Sequence, residues 1–246
     1  LWHTLSLHDA LPISCGKAGT FSVTHEHGGY KWNCFHADCE ERGRTGERLT
    51  REKAAGLFTA IPDGKPAVPF EKPKSWSRTL PPRASDYLHK VHTSGRYDDI
   101  YYDVQRDRVV YAIRDVDNKL VDGVGRTVVG AKPKWYRYGN YPSGFRIGTS
   151  DTAFVVEDVP SAVSISDWAT GYALLGTSLR DEHIQDLVKF KQVVVALDKD
   201  ATDKAFTYMR ALNTIVPTGI LMLDQDLKSM GEQEREHTIR NSIARK

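Results

Sequence analysis

The sequence predicts an α/β protein whose C-terminal part is a parallel, Rossmann-like sheet. Three observations carry this. Ala153-Phe154-Val155-Val156 and Val193-Val194-Val195-Ala196-Leu197 are short apolar runs dense in β-branched residues, the pattern of buried strands. Each run ends in acid: Glu157 after the first, Asp198 and Asp200 after the second. From residue 151 onward such strands alternate with helix-length segments, the grammar of parallel strands joined by crossovers.

Within 151–246 the elements follow in order. Ala153–Glu157 is a strand, and Pro160 sits where a first-turn proline is tolerated, opening a helix to about Thr170. Tyr172–Leu175 reads as a short strand. Ser178-Leu179-Arg180-Asp181-Glu182 reads as a capping box opening a helix to about Phe190. Gln192–Leu197 is a strand, Thr202–Leu212 a helix and Gly219–Leu223 a strand. Four strands with three crossovers give a three-layer domain. Acids recur after the last strand, at Asp224 and Asp226.

Residues 76–150 read as a mainly antiparallel α+β subdomain. Ser85 to Lys90 suggests a short helix, Arg108–Asp115 a strand, Asp117-Asn118-Lys119 a turn and Leu120–Val128 the return strand. Nine Lys/Arg and four Asp lie between Gln105 and Arg146, and Trp135, Tyr136, Tyr138 and Tyr141 are interleaved with Lys132, Lys134 and Arg137. Cations on phosphates and rings on bases suit a single-stranded nucleic acid. The same composition also describes a twisted antiparallel sheet with a polar outer face. Residues 44–75, with prolines at 62, 66, 69 and 73 and a possible helix over Glu47–Phe58, read as a linker.

Residues 15–43 read as a small hairpin with cysteines at its ends. Cys15-Gly16-Lys17 is a knuckle, Gly28-Gly29 the hairpin turn, and Tyr30 to Cys34 the returning strand, leading to Cys39. Thiolates on tight turns around Zn²⁺ form a zinc ribbon. Cys15, Cys34 and Cys39 supply three ligands; the fourth is expected just before Cys15, with His36 as a substitute. Thr4 to Ile13 resembles the conceptual translation of a sequencing-adapter oligonucleotide, so residues 1–14 are set aside as an artefact that truncates the ribbon.

Bulk properties set limits. The 246 residues are 40% hydrophobic, with apolar runs too short to span a bilayer, so no membrane partner is expected. Three cysteines do not make a disulfide scaffold. The net charge of +2 hides an asymmetry: residues 1–150 carry 23 Lys/Arg against 17 Asp/Glu, and 151–246 carry 11 against 15. A basic front and an acidic back suit a polyanion held over a metal site.

Carboxylates are hard ligands suited to Mg²⁺ or Mn²⁺. Glu157, Asp198 and Asp200 are therefore expected to meet at the strand ends and hold divalent metal for phosphoryl or nucleotidyl transfer or phosphodiester cleavage. The bland alternative is that each acid caps the helix after it.

The ordered motifs carry a resemblance. Val155 to Ala162 followed by Leu197-Asp198-Lys199-Asp200 resembles a TOPRIM domain, the module of primases, topoisomerases and some nucleases. Leu175-Gly176-Thr177-Ser178-Leu179 with His183 resembles the segment between those motifs in primases. Arg108 to Arg114, Gly125-Arg126 and Pro133-Lys134-Trp135 resemble the basic subdomain before TOPRIM in replicative primases. Cys15-Gly16-Lys17 and Trp32-Asn33-Cys34 resemble the primase zinc module. The whole is similar to the primase half of phage primase-helicases.

The resemblance implies a DNA primase, a DNA-directed RNA polymerase making short RNA primers on single-stranded DNA from ribonucleoside triphosphates during phage DNA replication. Glu157 would be general base or metal-adjacent acid, and Asp198 and Asp200 the Mg²⁺ ligands. Asp226 matches a third acidic motif in which an acid usually follows the lysine; here that position is Ser229. Arg108, Arg114, Arg126, Lys132 and Lys134 would hold template or nucleotide, and side chains near Trp32 and His36 would help read the template. No P-loop is present, so a replicative helicase is expected in a separate chain or elsewhere in the same polypeptide. The expected location is the cytoplasm, that of the host if the chain is phage-encoded. The rival readings are a TOPRIM nuclease or topoisomerase-like enzyme, and a non-catalytic zinc-ribbon nucleic-acid binder.

Overall fold

The computed structural model describes the backbone of residues 21–26, 29–34 and 42–44, and residues 69–244 except Thr177. The chain divides into two units, Leu1–Gly56 and Leu57–Lys246.

In the first unit, β1 (Phe21–Glu26) and β2 (Gly29–Cys34) form the expected hairpin, with Glu26 opposite Gly29 at the turn. A third strand, β3 (Arg42–Arg44), pairs with β2 and was not expected from the sequence. Trp32 lies opposite Val23 and Gly43, and Cys34 closes β2. Cys15, His36 and Cys39, the adapter-like stretch and the Glu47–Phe58 helix lie outside the described residues.

The second unit holds two five-stranded sheets. The first is an antiparallel meander of β4 (Trp76–Ser77), β5 (Ile100–Asp103), β6 (Arg108–Arg114), β7 (Leu120–Thr127) and β8 (Trp135–Arg137), paired in that order. Helix α1 (Pro82–Lys90) precedes β5 and begins three residues before the expected start, because Pro82 is pre-set for a first helical turn. Strand β6 is buried on both faces. Val109, Tyr111 and Ile113 join the main core, whereas Val110 and Ala112 pack with Trp76 and Tyr101 on the other side. The polar outer face expected of a simple antiparallel sheet is thus replaced at β6 by an aromatic cover. Tyr138 belongs to that cover, with its ring centroid 4.9 Å from that of Trp76.

The second sheet has the strand order β13-β12-β10-β11-β9. Its strands are β9 (Phe145–Ile147), β10 (Thr152–Val156), β11 (Thr170–Ala173), β12 (Gln192–Val195) and β13 (Thr218–Ile220). The last four are parallel, as expected. β9 was not read from the sequence; it pairs antiparallel with β11 and lies before residue 151. Every residue of β10 is buried, which is why it reads as a continuous apolar run.

The helices around this sheet are α2 (Val159–Ser164), α3 (Asp181–Leu187), α4 (Thr202–Leu212) and α5 (Glu232–Ala244). α2 is shorter than expected. The Ser164 and Ser166 hydroxyls donate to Ser161 O and Val163 O, each at 2.9 Å, and turns carry the chain into β11 two residues early. The cap of α3 also differs: the Arg180 backbone N–H donates to His183 Nδ1 at 3.2 Å, in place of a cap by Ser178. Burial first, then Arg180, pulls the His183 pKa down to about 3, so the ring is neutral and accepts. α4 has the expected bounds.

α2 packs directly on β11. A Cβ at Gly171 would lie 2.2 Å from Ala162 O and 2.6 Å from Ala162 Cα, both backbone atoms. Gly171→Ala is expected to cost about 3 kcal/mol by overpacking, read as a lower urea midpoint at unchanged m-value. Among the described residues no helix is long and apolar enough to cross a membrane.

Candidate metal and nucleic-acid site

The C-terminal ends of β10, β12 and β13 are neighbours, so the acids that follow them are gathered at one sheet edge. Glu157 and Asp158 leave β10. Asp158 caps α2, accepting from Ser161 N–H at 3.0 Å. Asp198 leaves β12 beside it: Ala196 N donates to Val155 O at 2.9 Å. Asp198 and Asp226 each precede a 3₁₀ turn, Lys199–Ala201 and Leu227–Ser229, and neither makes a side-chain cap bond. The capping alternative therefore describes Asp158 and not Asp198 or Asp226.

The charges of these groups act on one another. Burial pushes the Asp198 pKa up to about 6; Lys228 pulls against this, and Asp226, Glu157 and Asp158 push it further. Glu157 is also raised, first by burial, with Lys204 opposing and Asp200 and Asp158 adding to the shift. Glu157, Asp198, Asp200 and Asp226 thus occupy one neighbourhood. Asp198 is half-buried and Asp200 exposed.

Lys228 is the cation of this neighbourhood. Its Nζ lies 2.8 Å from Asp226 Oδ2 and 3.1 Å from Asp158 Oδ2. By type the donors, half-buried carboxylates disfavoured as anions by burial, are those a hard divalent cation takes. Among the described residues no three His, Cys, Asp or Glu side chains converge as a metal-holding group. Asp226 and Asp158 are turned to Lys228 instead.

The basic residues divide into two groups. Arg126, Lys132 and Lys134 line one cavity of about 550 Å³, together with Arg83, Asp86, Tyr87 and Lys90 from α1. That volume is within the usual range for small-molecule sites. Arg126 lies over Trp135 with its guanidinium carbon 5.1 Å from the ring centroid, and its buried Nε has no hydrogen-bond partner. Arg108 and Arg114 do not join them. Arg108 is 4% exposed and donates to Pro133 O at 2.7 Å and to Lys134 O at 3.3 Å, which makes it a strut under the cavity wall rather than a surface cation. Arg114 is ion-paired with Asp99 and donates to Asn118 O at 2.8 Å. The interleaved rings are likewise engaged inside the protein: Tyr138 donates to Asp103 at 2.6 Å, and Arg106 lies over Tyr136.

Sequence reasoning missed Arg83, Tyr87 and Lys90. A helix over Tyr87 and Lys90 was expected, but only the fold extends it back to Arg83 and brings it beside Lys132 and Lys134. It also missed Asp158, which looks like an ordinary cap, and the pairing of Lys228. Tyr87 joins the two halves of the site. Burial and then Asp158 push its pKa up to about 12, opposed by Arg126 and Lys228. One side chain thus lies within electrostatic reach of both the cationic cavity and the acid cluster.

No protein-family model matches the chain. Over 132 residues it is 26% identical to the DNA primase of Pseudomonas aeruginosa, a match covering 47% of this chain and 20% of that protein. The chain therefore spans about a fifth of the length of that curated relative. Among solved structures, a DNA primase domain from Pseudomonas aeruginosa matches with TM-score 0.48 and 21% identity, over 70% of this chain and 63% of that one. The Aquifex aeolicus primase, comprising zinc-binding and RNA polymerase domains, matches with TM-score 0.47 and 22% identity, over 64% and 46%. A DnaG primase catalytic domain bound to single-stranded DNA matches with TM-score 0.46 and 20% identity, over 72% and 64%.

Proposed function

We propose that this chain is a DNA primase that makes short RNA primers on single-stranded DNA from ribonucleoside triphosphates, in phage-type DNA replication in the cytoplasm. The observation that carries the reading is a cavity lined by five cations in the same unit as acids gathered at parallel strand ends, with Tyr87 of that cavity feeling the charge of Asp158. Polyanion on one side and divalent cation on the other is the division of labour that nucleotidyl transfer needs. The sequence similarity to a DNA primase supports the same reading. A single-stranded DNA template, a helicase partner and a zinc site at Cys15, Cys34, Cys39 and His36 or a preceding ligand belong to this proposal.

Glu157, Asp198 and Asp200 would hold Mg²⁺ or Mn²⁺, with Asp226 beside them. When bound, the metal supplies positive charge to the attacked phosphate and to the 3′-hydroxyl. Arg126, Lys132 and Lys134 place phosphates in the cavity, and Tyr87 and Val128 form its apolar wall. Glu157, its carboxyl raised above the usual carboxylate range by burial, is the group proposed to take a proton.

The test is incubation with single-stranded DNA of varied sequence, labelled ribonucleoside triphosphates and Mg²⁺ or Mn²⁺. Template-dependent oligoribonucleotides support the proposal; nicked DNA without synthesis points to a nuclease. Lys134→Ala is expected to weaken single-stranded DNA binding several-fold and to lower the salt slope of log affinity by about 1. Titrations at several salt concentrations check this, and an unchanged slope removes Lys134 from the interface.

A further inference from the structure

We propose that Lys228 is the built-in counter-ion of the acid cluster and sets how tightly that cluster takes a divalent cation. The inference rests on the metal reading above. Lys228 is 16% exposed at its side chain and bridges two loops. Its ammonium donates to Asp226 Oδ2 at 2.8 Å after β13, and to Asp158 Oδ2 at 3.1 Å and Ser161 Oγ at 3.4 Å after β10. It is not a wandering surface lysine. The fully buried Arg235 on α5 holds the backbone on both sides of it, Nη1 donating to Leu227 O at 3.2 Å and to Met230 O at 3.1 Å.

A fixed ammonium here has two effects. It offsets the repulsion among carboxylates gathered at one sheet edge, so the cluster stays together without a divalent ion. It also competes with such an ion. Asp226 is available as a ligand only after the ammonium has left it, and any metal at Glu157, Asp198 and Asp200 meets a positive charge already in place. Lys228 therefore keeps metal affinity low enough for the ion to depend on the incoming phosphates, which supply the missing negative charge.

The experiment is Mn²⁺ binding by the full chain, followed by the electron paramagnetic resonance signal of the free ion, with no nucleotide present. Lys228→Gln is expected to bind Mn²⁺ about tenfold more tightly than the wild type, and Lys228→Arg within about threefold of it. In EDTA, Lys228→Gln unfolds at a lower temperature and regains it on adding Mn²⁺. A purely structural lysine predicts the opposite, since a loosened cluster binds metal more weakly. Unchanged or weaker binding by Lys228→Gln overturns the proposal. If that variant does not fold, Asp226→Asn decides: a loss of less than about threefold is expected because the carboxylate serves Lys228, and a loss of tenfold or more overturns the idea. Mn²⁺ binding that Asp198→Asn leaves unweakened overturns the metal reading itself, and this inference with it.

Discussion

Asp198→Asn is expected to lower primer synthesis by about three orders of magnitude or more and, in EDTA at pH 7, to make the protein more stable. The first effect follows from the proposed role of Asp198, since the substitution removes a charged carboxylate from the end of β12. The second follows from the ionisation of Asp198. Its pKa is about 6 in the folded protein, raised first by burial, against about 3.9 for an unfolded Asp. The folded state thus binds the Asp198 proton more tightly than the unfolded state does. The stability this gives is fully present below about pH 4 and is lost as pH rises through 6. Asn does not titrate, so the variant keeps what the wild type loses. Discounted for partial solvent exposure, the gap at pH 7 is about 1–2 kcal/mol, or roughly 2–8 °C in melting temperature for a unit of this size. Thermal unfolding of both proteins from pH 4 to 7.5 in EDTA checks this. The curves should meet near pH 4 and separate by pH 7 with the variant higher. A wild type that is the more stable at pH 7 contradicts the assigned strain at Asp198.

A residue that destabilises its own fold is a sign of function, and it bears on how far the site was legible in the sequence. The acids could be read because each directly follows an apolar run, and a parallel sheet brings such strand ends together. Two of the four parallel strands, β10 and β12, were legible for a related reason: Phe154, Val155, Val194 and Val195 are buried, so their strands read as short continuous runs rich in β-branched residues. α5 was not legible. Among its residues with described side chains only Arg235 and Ile239 are buried, one turn apart, so its stripe is too thin to stand out in a polar sequence. β9 is three residues long and takes its identity from pairing with β11, which no local pattern announces.

The basic residues show a different limit. Composition gave the right region but could not separate cations that face the cavity from those that build its wall. Arg108 and Arg126 lie on adjacent strands, and their roles differ because Arg108 points under the Pro133–Lys134 segment and donates to its carbonyls. The rings misled for a related reason. A guanidinium over an aromatic face is as favourable inside a protein as against a base, and Arg106 over Tyr136 and Arg126 over Trp135 use the attraction internally.

Asp122 carries the second large effect, on stability. Its side chain is fully buried on β7 and accepts four hydrogen bonds. Oδ1 takes the backbone N–H groups of Gly123 and Gly139, each at 2.6 Å; Oδ2 takes Arg137 Nε at 2.6 Å and Tyr141 N at 3.0 Å. Arg137 in turn donates to Tyr141 O at 2.7 Å and to Leu175 O at 3.2 Å. Leu175 has φ of 56°, a left-handed conformation unusual for a branched side chain, just after β11. One carboxylate thus fixes the segment after β8 and, through Arg137, the turn that leads β11 toward α3. Asp122→Ala leaves a largely buried guanidinium and three backbone donors without their acceptor, which is expected to cost about 3–5 kcal/mol. For a unit of this size that is a fall in melting temperature of roughly 6–20 °C. Asp122→Asn keeps the shape but not the charge and is expected to lose about half as much. Urea unfolding of the three proteins measures both differences. Hydrogen exchange should show the extra opening at Gly139, Tyr141 and the residues around Leu175, before the strands of the second sheet exchange. Uniform loss of protection across the unit would mean that Asp122 stabilises the fold as a whole and does not hold this turn in particular.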